Sequence, residues 1–451
     1  MKKGLKISLA VLGSVVGLFG ILVSTAAIYS VTYKVPAQEE YIENNTGLVQ
    51  AKNRSLYDEN GGRLILQGVN FGNIFLQESW LSPFAIEPLK NEDGTYQKDK
   101  DRNILYPEFG QDDFVNGLLN NPNCGEENYD TWFNYYFDCW VNNSDYNLLK
   151  ELNLNAIRLP IYWRDLLNDD FSRKDENIAF KYIDKIISDS KDNGIYIILD
   201  LHGVPGSQNG FEHSGVTNQK VEFWTNDTYI DAAIDCWKFI SEHYATTRSD
   251  LSSTIATYDI LNEPTINFRG STTRKCWDVF DKIYDAIRDQ NDNHVITMEG
   301  AWTFANLPDP KEYGWENVQY EYHLYNYGKD FLSYDVLYGF HDFCNIGRDY
   351  NVPVYIGEFT FFEDVKEWER GFKIFQDRGY SWTVWNFKAC TVGWWTTSWG
   401  LLTAKLNMNR DTEETKPNVS SCTFEEFKAA CEKTRSEHCE TSTLYNVIKN
   451  R

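Results

Sequence analysis

The segment TYDILNEPT, from Thr257 to Thr265, contains an apolar run that ends abruptly in an amide and a carboxylic acid. Tyr258 to Leu261 has the composition of a short buried strand, and Asn262 and Glu263 follow it directly. Pro264 has no N–H group to donate to a neighbouring strand, so a regular strand must stop here. Keeping a carboxylate charged at the tip of an apolar strand is costly, which indicates a functional reason for its position.

Runs of the same kind recur along the chain and alternate with longer segments of helical spacing. Strands that are apolar on both faces indicate a parallel sheet covered by helices, and eight such units predict a single α/β domain, a closed (β/α)8 TIM barrel. A doubly wound open sheet is the alternative, but no Gly-rich phosphate loop follows the first run. The runs lie at 63–71, 154–163, 194–203, 257–263, 294–300, 318–325, 352–359 and 380–388.

The N-terminus has the pattern of a membrane anchor. Lys2, Lys3 and Lys6 precede residues 7–33, which contain no charged side chain. That length suffices for a transmembrane helix, and the lysines favour a cytoplasmic N-terminus with the rest of the chain outside. The small residues Ser24-Thr25-Ala26 leave a cleaved signal peptide as the alternative. We therefore expect an anchored extracellular protein, or a secreted one if the segment is cleaved.

Composition divides the chain into three segments. Residues 1–34 form the anchor or signal sequence, residues 35–60 a polar stalk, and residues 61–451 the barrel domain. The barrel domain carries a long insertion after its first strand, from Ser82 to Asp145, and we expect a helix within 424–439 to close the barrel as its last helix.

Charge and cysteine content exclude some partners and sites. The 451 residues carry a net charge of −23, which argues against nucleic acid or an anionic membrane surface as a partner. The nine cysteines include no CxxC pair, so they do not predict a metal site. Cys276 and Cys390 both follow predicted strand ends, and a disulfide between them is a further hypothesis.

The C-terminal strand ends of such a barrel carry its chemistry. Glu263 follows the fourth strand and Glu358 ends the seventh, so the two carboxyl groups should face each other across the barrel mouth. Paired carboxyl groups of this kind hydrolyse glycosidic bonds, with retention at about 5–5.5 Å and inversion at about 6.5–9.5 Å. The histidines lie on separate strands, so we expect neither a metal nor an organic cofactor. Six of the eight strand ends carry polar or aromatic groups: Arg158, His202, Asn262 with Glu263, His323 with Tyr325, Glu358 and Trp385.

From about Arg63 to Thr403 the sequence resembles the cellulase-like enzymes of glycoside hydrolase family 5. The resemblance rests on NEP at 262–264, GEF at 357–359, NAIRLPIYW at 155–163, DLHGVPGSQNG at 200–210 and EYHLY at 321–325. It implies a retaining mechanism in which Glu263 is the general acid/base and Glu358 the nucleophile. It also implies that the sugar subsite is shaped by Arg158, His202, Asn262, His323, Tyr325 and Trp385.

These roles require different ionisation states. Glu263 must be protonated to act as an acid, so we expect its surroundings, including Glu358, to raise its pKa. Glu358 must be ionised to attack, and Arg158 and Tyr325 are placed to favour that state by charge and hydrogen bonding.

The resemblance implies a β-linked polysaccharide or oligosaccharide as substrate, and an endo-β-glucanase is the first expectation. LHGVPGSQNGFEHSG, residues 201–215, is also similar to exo-acting β-1,3-glucanases, and the Ser82–Asp145 insertion could wall off one end of the cleft. NFKACT, residues 386–391, lacks the acidic residue expected in those exo-enzymes. A non-enzymatic sugar-binding barrel would have lost a catalytic carboxylate, and both are present. The aromatic residues expected in the cleft are Trp163, Trp394, Trp395 and Trp399.

Overall fold

The computed structural model describes residues 37–98, 104–266, 273–303, 306–325, 334, 337–339, 341, 350–391, 399–405 and 416–451. The predicted membrane span at 7–33 lies outside the described residues, as do Trp394 and Trp395. Within the described part of the chain, no helix combines the length and the apolar character that crossing a bilayer requires.

Eight parallel strands close into a barrel, which confirms the predicted fold. Each predicted run overlaps one barrel strand, and the order around the barrel follows the chain, with the last strand pairing to the first. The first run is split, because its beginning joins a small antiparallel sheet of β1 (Gln50–Lys52), β2 (Ser55–Tyr57) and β3 (Arg63–Leu64). The barrel strands are β4 (Gln67–Asn70), β5 (Ala156–Tyr162), β6 (Tyr196–Gly203), β7 (Ile255–Asp259), β8 (Val295–Glu299), β9 (Val318–Tyr325), β10 (Val354–Thr360) and β11 (Ser381–Val384).

Helices cover the outside of the barrel with one apolar face each. In the helix at 274–288, Val279, Phe280, Ile283 and Ile287 are buried at a spacing of three to four residues. The described helices are α1 (Gln111–Asn120), α2 (Gly125–Trp140), α3 (Asn143–Glu151), α4 (Trp163–Leu166), α5 (Glu176–Ala179), α6 (Lys181–Asp192), α7 (Asp227–Glu242), α8 (Arg274–Arg288), α9 (Pro310–Tyr313), α10 (Val365–Arg378), α11 (Phe424–Glu432) and α12 (Thr443–Lys449).

The N-terminal end of the barrel is closed by residues from the predicted stalk. Val49 and Leu56 pack in one buried cluster with Ala156, Ile198 and Val295, which lie near the beginnings of their strands. This part of the 35–60 segment therefore belongs to the barrel domain and leaves the opposite end, where the strands terminate, as the open mouth.

The C-terminal tail packs differently from the prediction. Phe427 of α11 stacks on Phe84 at 4.6 Å, and Phe424 stacks on Trp132 of α2 at 5.1 Å. The helix within 424–439 thus packs on the insertion instead of closing the barrel, because its aromatic face matches that of α2. A second small sheet contains β12 (Lys388–Thr391), β13 (Leu402–Lys405) and β14 (Glu440–Thr441).

The proposed disulfide between Cys276 and Cys390 is wrong, since both are free thiols. Cys276 lies at the start of α8 with its sulfur 4.0 Å from Thr273 Oγ1, and it is fully buried. Cys390 lies in β12, where its backbone N–H donates to the carbonyl oxygen of Leu81, directly before the insertion. The two thiols are therefore packed into different layers of the domain.

Gly68 in β4 lies where the backbones of two barrel strands approach closely. A Cβ at this position would lie 1.8 Å from the carbonyl oxygen of Ala156 in β5, and neither backbone can move without breaking the sheet. We expect Gly68→Ala to lower the free energy of unfolding by about 3 kcal/mol, measured by urea unfolding. The control is Gly94→Ala, where a Cβ meets nothing within 4 Å and only the left-handed backbone adds strain, about 1–2 kcal/mol. Equal losses in both variants would contradict the close approach of β4 and β5.

Candidate active site

Glu263 lies at the barrel mouth in a strained backbone conformation. The chain leaves β7 at Asp259, and Glu263 adopts a φ of 40°, in the left-handed region. Its N–H donates to the carboxylate of Glu299 in β8, which holds the turn in place. Strained, well-supported positions of this kind concentrate at functional sites.

Glu358 lies in β10 and faces Glu263 across the mouth. One carboxylate oxygen of each residue and a ring nitrogen of His323 lie within 4.8 Å of one another. Both glutamates are buried. This separation agrees with the short spacing of retaining glycosidases and is smaller than the roughly 6.5–9.5 Å of inverting ones.

Arg158 of β5 contacts Glu358 and also Asn262, the residue directly before Glu263. Its fully buried guanidinium donates to Glu358 at 2.9 Å, to Asn262 Oδ1 at 2.8 Å and to Asp259 at 2.8 Å. Tyr325 at the end of β9 donates its hydroxyl to the other oxygen of Glu358 at 2.9 Å. Burial raises the pKa of Glu358 well above its usual range and the charge of Glu263 adds to this, whereas Arg158 opposes the rise.

Both carboxylate oxygens of Glu263 contact imidazole rings. His323 Nδ1 lies 2.8 Å from one oxygen, and His213 Nε2 lies 3.1 Å from the other. Burial acts to raise the pKa of Glu263, but the charge and hydrogen bond of His213 and the bond of His323 outweigh it and lower the pKa. The expectation of a raised pKa for Glu263 is therefore wrong in the free site, because a histidine that the sequence analysis did not select lies against it.

His213 belongs to a short 3-10 turn, Glu212–Ser214, in the loop after β6. Burial alone would lower its pKa, but the carboxylates of Glu263, Glu212 and Glu78 outweigh burial and raise it to about 10. His213 does not end a strand, so the strand-end pattern of the sequence does not predict it. The signal that was available is its place in the loop GFEHSG, which follows the strand end carrying His202.

The other predicted residues lie around this pair. His202 in β6 bonds Asp200 through Nδ1 at 2.6 Å, and its ring lies parallel to that of Trp385 with centroids 5.5 Å apart. His202, His323, Tyr325 and Trp385 line the mouth together with Glu263 and Glu358. Arg158 and Asn262 are buried beside these residues, and Arg158 donates to Asn262 Oδ1, so the structure brings all eight predicted residues together.

The mouth opens into a cavity of about 850 Å³. Residues after β4 form one side of it: Glu78, Ser79, Trp80 and, from the insertion, Glu108. Trp399 lines the cavity as predicted, and Trp302 and Phe211 add further aromatic surface. Trp163 does not line it, because its ring is buried against Phe171. The cavity is thus acidic and aromatic, with a wall on the side of the insertion.

A glycine is required directly before Glu358. A Cβ on Gly357 would lie 1.5 Å from Oε1 of Glu321, a fully buried carboxyl group of β9. The GEF motif therefore has glycine because the neighbouring strand places a side chain against its Cα.

Three groups of side chains in the described residues could each offer three atoms to a metal ion. Hydrogen bonds account for the groups at the mouth, since Trp80 Nε1 donates to Glu78 at 2.7 Å and the donors to Glu263 and Glu358 are described above. The third group, which includes His323 itself, is fully buried. Hydrolysis by a pair of carboxyl groups needs no metal ion at any of the three. The groups are Glu78–Glu212–His213, Glu263–His323–Glu358 and Glu299–Glu321–His323.

Comparisons with known proteins identify the family of this chain. The model of the cellulase family, glycosyl hydrolase family 5, matches residues 115–391. A β-xylosidase from Phanerodontia chrysosporium is 32% identical over 205 residues, 45% of this chain and 41% of that enzyme. A probable glucan 1,3-β-glucosidase A from Neosartorya fischeri is 26% identical over 311 residues, 68% of this chain and 67% of that protein.

Solved structures share the fold at low sequence identity. The rutinosidase from Aspergillus niger superposes with a TM-score of 0.52 at 16% identity, covering 74% of this chain and 95% of that one. The match to the xylosidase spans less than half of that enzyme, whereas the family match covers more than half of this chain and includes both glutamates. The chain therefore belongs to glycoside hydrolase family 5, the cellulase family.

Proposed function

We propose that this protein is a retaining β-glucan hydrolase that acts by double displacement with no metal or organic cofactor. Glu358 is the nucleophile, and Glu263 is the general acid/base. The observation that carries the proposal is the short distance between their carboxylates in a buried mouth where Arg158 and Tyr325 both donate to Glu358. Those donors favour the ionised form that a nucleophile needs, and they act against burial and the charge of Glu263, which keep the pKa of Glu358 raised in the free site.

In the first step a Glu358 oxygen forms a bond to the anomeric carbon while the glycosidic bond breaks and Glu263 protonates the leaving oxygen. In the second, Glu263 removes a proton from water as the water displaces Glu358. Asn262 and His202 bind sugar hydroxyls, and the face of Trp385 packs against the C–H side of the ring. These roles follow from their places around the two glutamates.

The substrate we propose is the end of a β-1,3-glucan chain, from which the enzyme removes single glucose units. Glu78, Trp80 and Glu108 line the same cavity as the catalytic pair, and we propose that they close one end of it and so favour exo action. Burial raises the pKa of Glu78 to about 8, so its protonated carboxyl can bond a terminal sugar hydroxyl. The relatives named as glucan 1,3-β-glucosidases support the same linkage. Endo action, the first expectation from sequence, is the second candidate.

The location we propose follows the N-terminal pattern. Residues 1–34 anchor the protein in a membrane or direct its secretion, a shortened linker follows, and residues 61–451 with the packed part of 35–60 form the catalytic domain outside the cell. Its partner there is a β-linked polysaccharide or oligosaccharide, and the acidic surface disfavours nucleic acid.

A product profile tests the substrate. The full chain is incubated with laminarin, carboxymethyl-cellulose, mixed-linkage glucan and mannan, with Glu358→Ala as the blank, and products are separated by chromatography. We expect glucose as the only early product, from laminarin, because exo action releases one terminal sugar at each turnover. A ladder of oligosaccharides from the 1,4-linked glucans would overturn exo action and favour an open groove.

Two variants test the catalytic roles. We expect Glu358→Ala and Glu263→Gln to lower kcat on glucan at least about 10³-fold while both variants remain folded. Azide should restore turnover of an activated aryl glucoside in both, giving the α-glucosyl azide with Glu358→Ala and the β-azide with Glu263→Gln, because azide replaces a different group in each. The control is Glu425→Ala, an exposed glutamate of α11. Swapped azide products would contradict the assignment.

Tyr325→Phe tests the support of the nucleophile. The Tyr325 hydroxyl stabilises ionised Glu358, so its removal should raise the pKa of Glu358, and the acid limb of kcat/KM should move to higher pH. A hydrogen bond to a charged group is worth about 1.5–3 kcal/mol, which corresponds to about 1–2 pH units. The matched control is Tyr196→Phe, whose hydroxyl donates to Glu59 at 2.7 Å at the other end of the barrel. An acid limb that stays in place in Tyr325→Phe would exclude this role.

A further inference from the structure

Both carboxylate oxygens of the proposed acid/base, Glu263, contact an imidazole ring in the resting site: one contacts His323 and the other contacts His213. We propose that His213 and Glu263 work as one proton-donating pair, in which His213 stores the proton that Glu263 delivers to the leaving oxygen. This inference rests on the proposed role of Glu263. His213 acts through Glu263 and is a positioning and proton-storing residue.

The contacts of His213 suit both ends of such a transfer. While the proton is on His213, Nε2–H donates to the Glu263 carboxylate at 3.1 Å. After transfer, the unprotonated Nε2 needs a donor, and the side-chain N–H₂ of buried Asn209 lies 3.0 Å from it. Each protonation state of the ring therefore has a partner in place.

The two histidines beside Glu263 differ in charge. His323 is fully buried, and burial lowers its pKa to about 4 against the opposing effect of Glu263. It is therefore neutral and holds Glu263 by its Nδ1–H. His213 lies on a loop at the cavity wall with its side chain 18% exposed. His213 is thus the ring that can hold an exchangeable proton next to the substrate.

Charged groups from several elements face His213 and keep the stored proton on it in the free enzyme. Glu263 after β7, Glu78 after β4 and Glu212 of its own turn are carboxyl groups that favour the imidazolium form. The ring of Phe211 lies parallel to it at 5.2 Å and that of His202 lies edge-on at 6.0 Å. The charge of His213 in turn acts on Glu358 and Asp200, lowering the pKa of each.

Over the two steps, His213 and Glu263 each return to the protonation state in which they began. The Nε2–H bond of His213 breaks as an O–H bond forms on Glu263, and that proton then passes to the glycosidic oxygen, which keeps the electron pair of the broken C–O bond. Glu358 forms the new bond to the anomeric carbon. In the second step Glu263 takes a proton from water and returns it to His213, so the pair ends as it began.

The experiment compares two β-glucosides that differ only in the leaving group. An alkyl β-glucoside needs protonation of its leaving oxygen, whereas a 2,4-dinitrophenyl β-glucoside leaves unassisted. In His213→Asn we expect kcat/KM to fall about tenfold or more for the alkyl glucoside and to stay within about twofold for the aryl one. The alkaline limb should move to lower pH, because the last proton then resides on a lone carboxyl group and is lost earlier.

A second variant and controls keep the outcome decisive. His213→Gln retains a donor to Glu263 without a transferable proton, so it should behave as His213→Asn does; recovery by Gln would reduce His213 to a hydrogen-bond donor. The matched control is His438→Asn, an exposed histidine of the tail, and melting temperatures verify folding. The inference would be overturned if His213→Asn lowered kcat/KM equally for both glucosides, or if the alkaline limb of its pH profile stayed in place or moved to higher pH. It would also be overturned if EDTA abolished the difference between the variant and the wild type.

The same assay separates this inference from the proposed function. Should Glu263→Gln cleave the alkyl glucoside at the wild-type rate, the proposed role of Glu263 fails. Should Glu263→Gln be inactive while His213→Asn matches the wild type on both glucosides, Glu263 stands and only the pair is overturned.

Discussion

One buried guanidinium organises the site. Arg158 lies in the barrel interior within ion-pair distance of Asp200, Asp259, Glu321 and Glu358, and all of these side chains are buried. A charge in such a place is stable only when it is paired and hydrogen-bonded, and removing one partner leaves the others uncompensated. The ends of β5, β6, β7, β9 and β10 are therefore held to one centre, and the nucleophile and Asn262 take their places from it.

The two central glutamates acquire different properties from what surrounds them. Glu358 receives a guanidinium and a phenol, whereas Glu263 receives two imidazoles. Such pairs divide acid and base roles when their environments separate the pKa values. Here the free site lowers the pKa of Glu263, the group proposed to donate a proton, and this apparent conflict is resolved if the proton waits on His213. Substrate binding, which removes water from the mouth, then favours the neutral pair over the ionic one.

The fold could be predicted from the sequence because the eight runs have a strong apolar pattern, and the central residues because they end strands. Both signals are local in the chain. His213, Glu78 and Trp80 come from loops, whose paths depend on tertiary packing, and no periodicity marks them. Val49 directly precedes the short strand β1 and Leu56 lies in β2, both near polar residues, so their role in closing the barrel was hidden. The wrong disulfide arose from the same limit, since strand-end positions give no distance between layers.

The acidic interior connects activity with stability. Arg158 cannot neutralise all of the buried carboxyl groups, so several keep a proton in the folded protein; burial raises the pKa of Asp200 to about 7 and that of Glu321 well above its usual range. In the unfolded chain an aspartate loses its proton near pH 4. Between about pH 4 and 7 the folded state thus binds more protons through Asp200 than the unfolded state, and its contribution to stability falls as pH rises. The contribution of Asp200 and Glu321 to stability is therefore largest on the acid side, where both remain neutral.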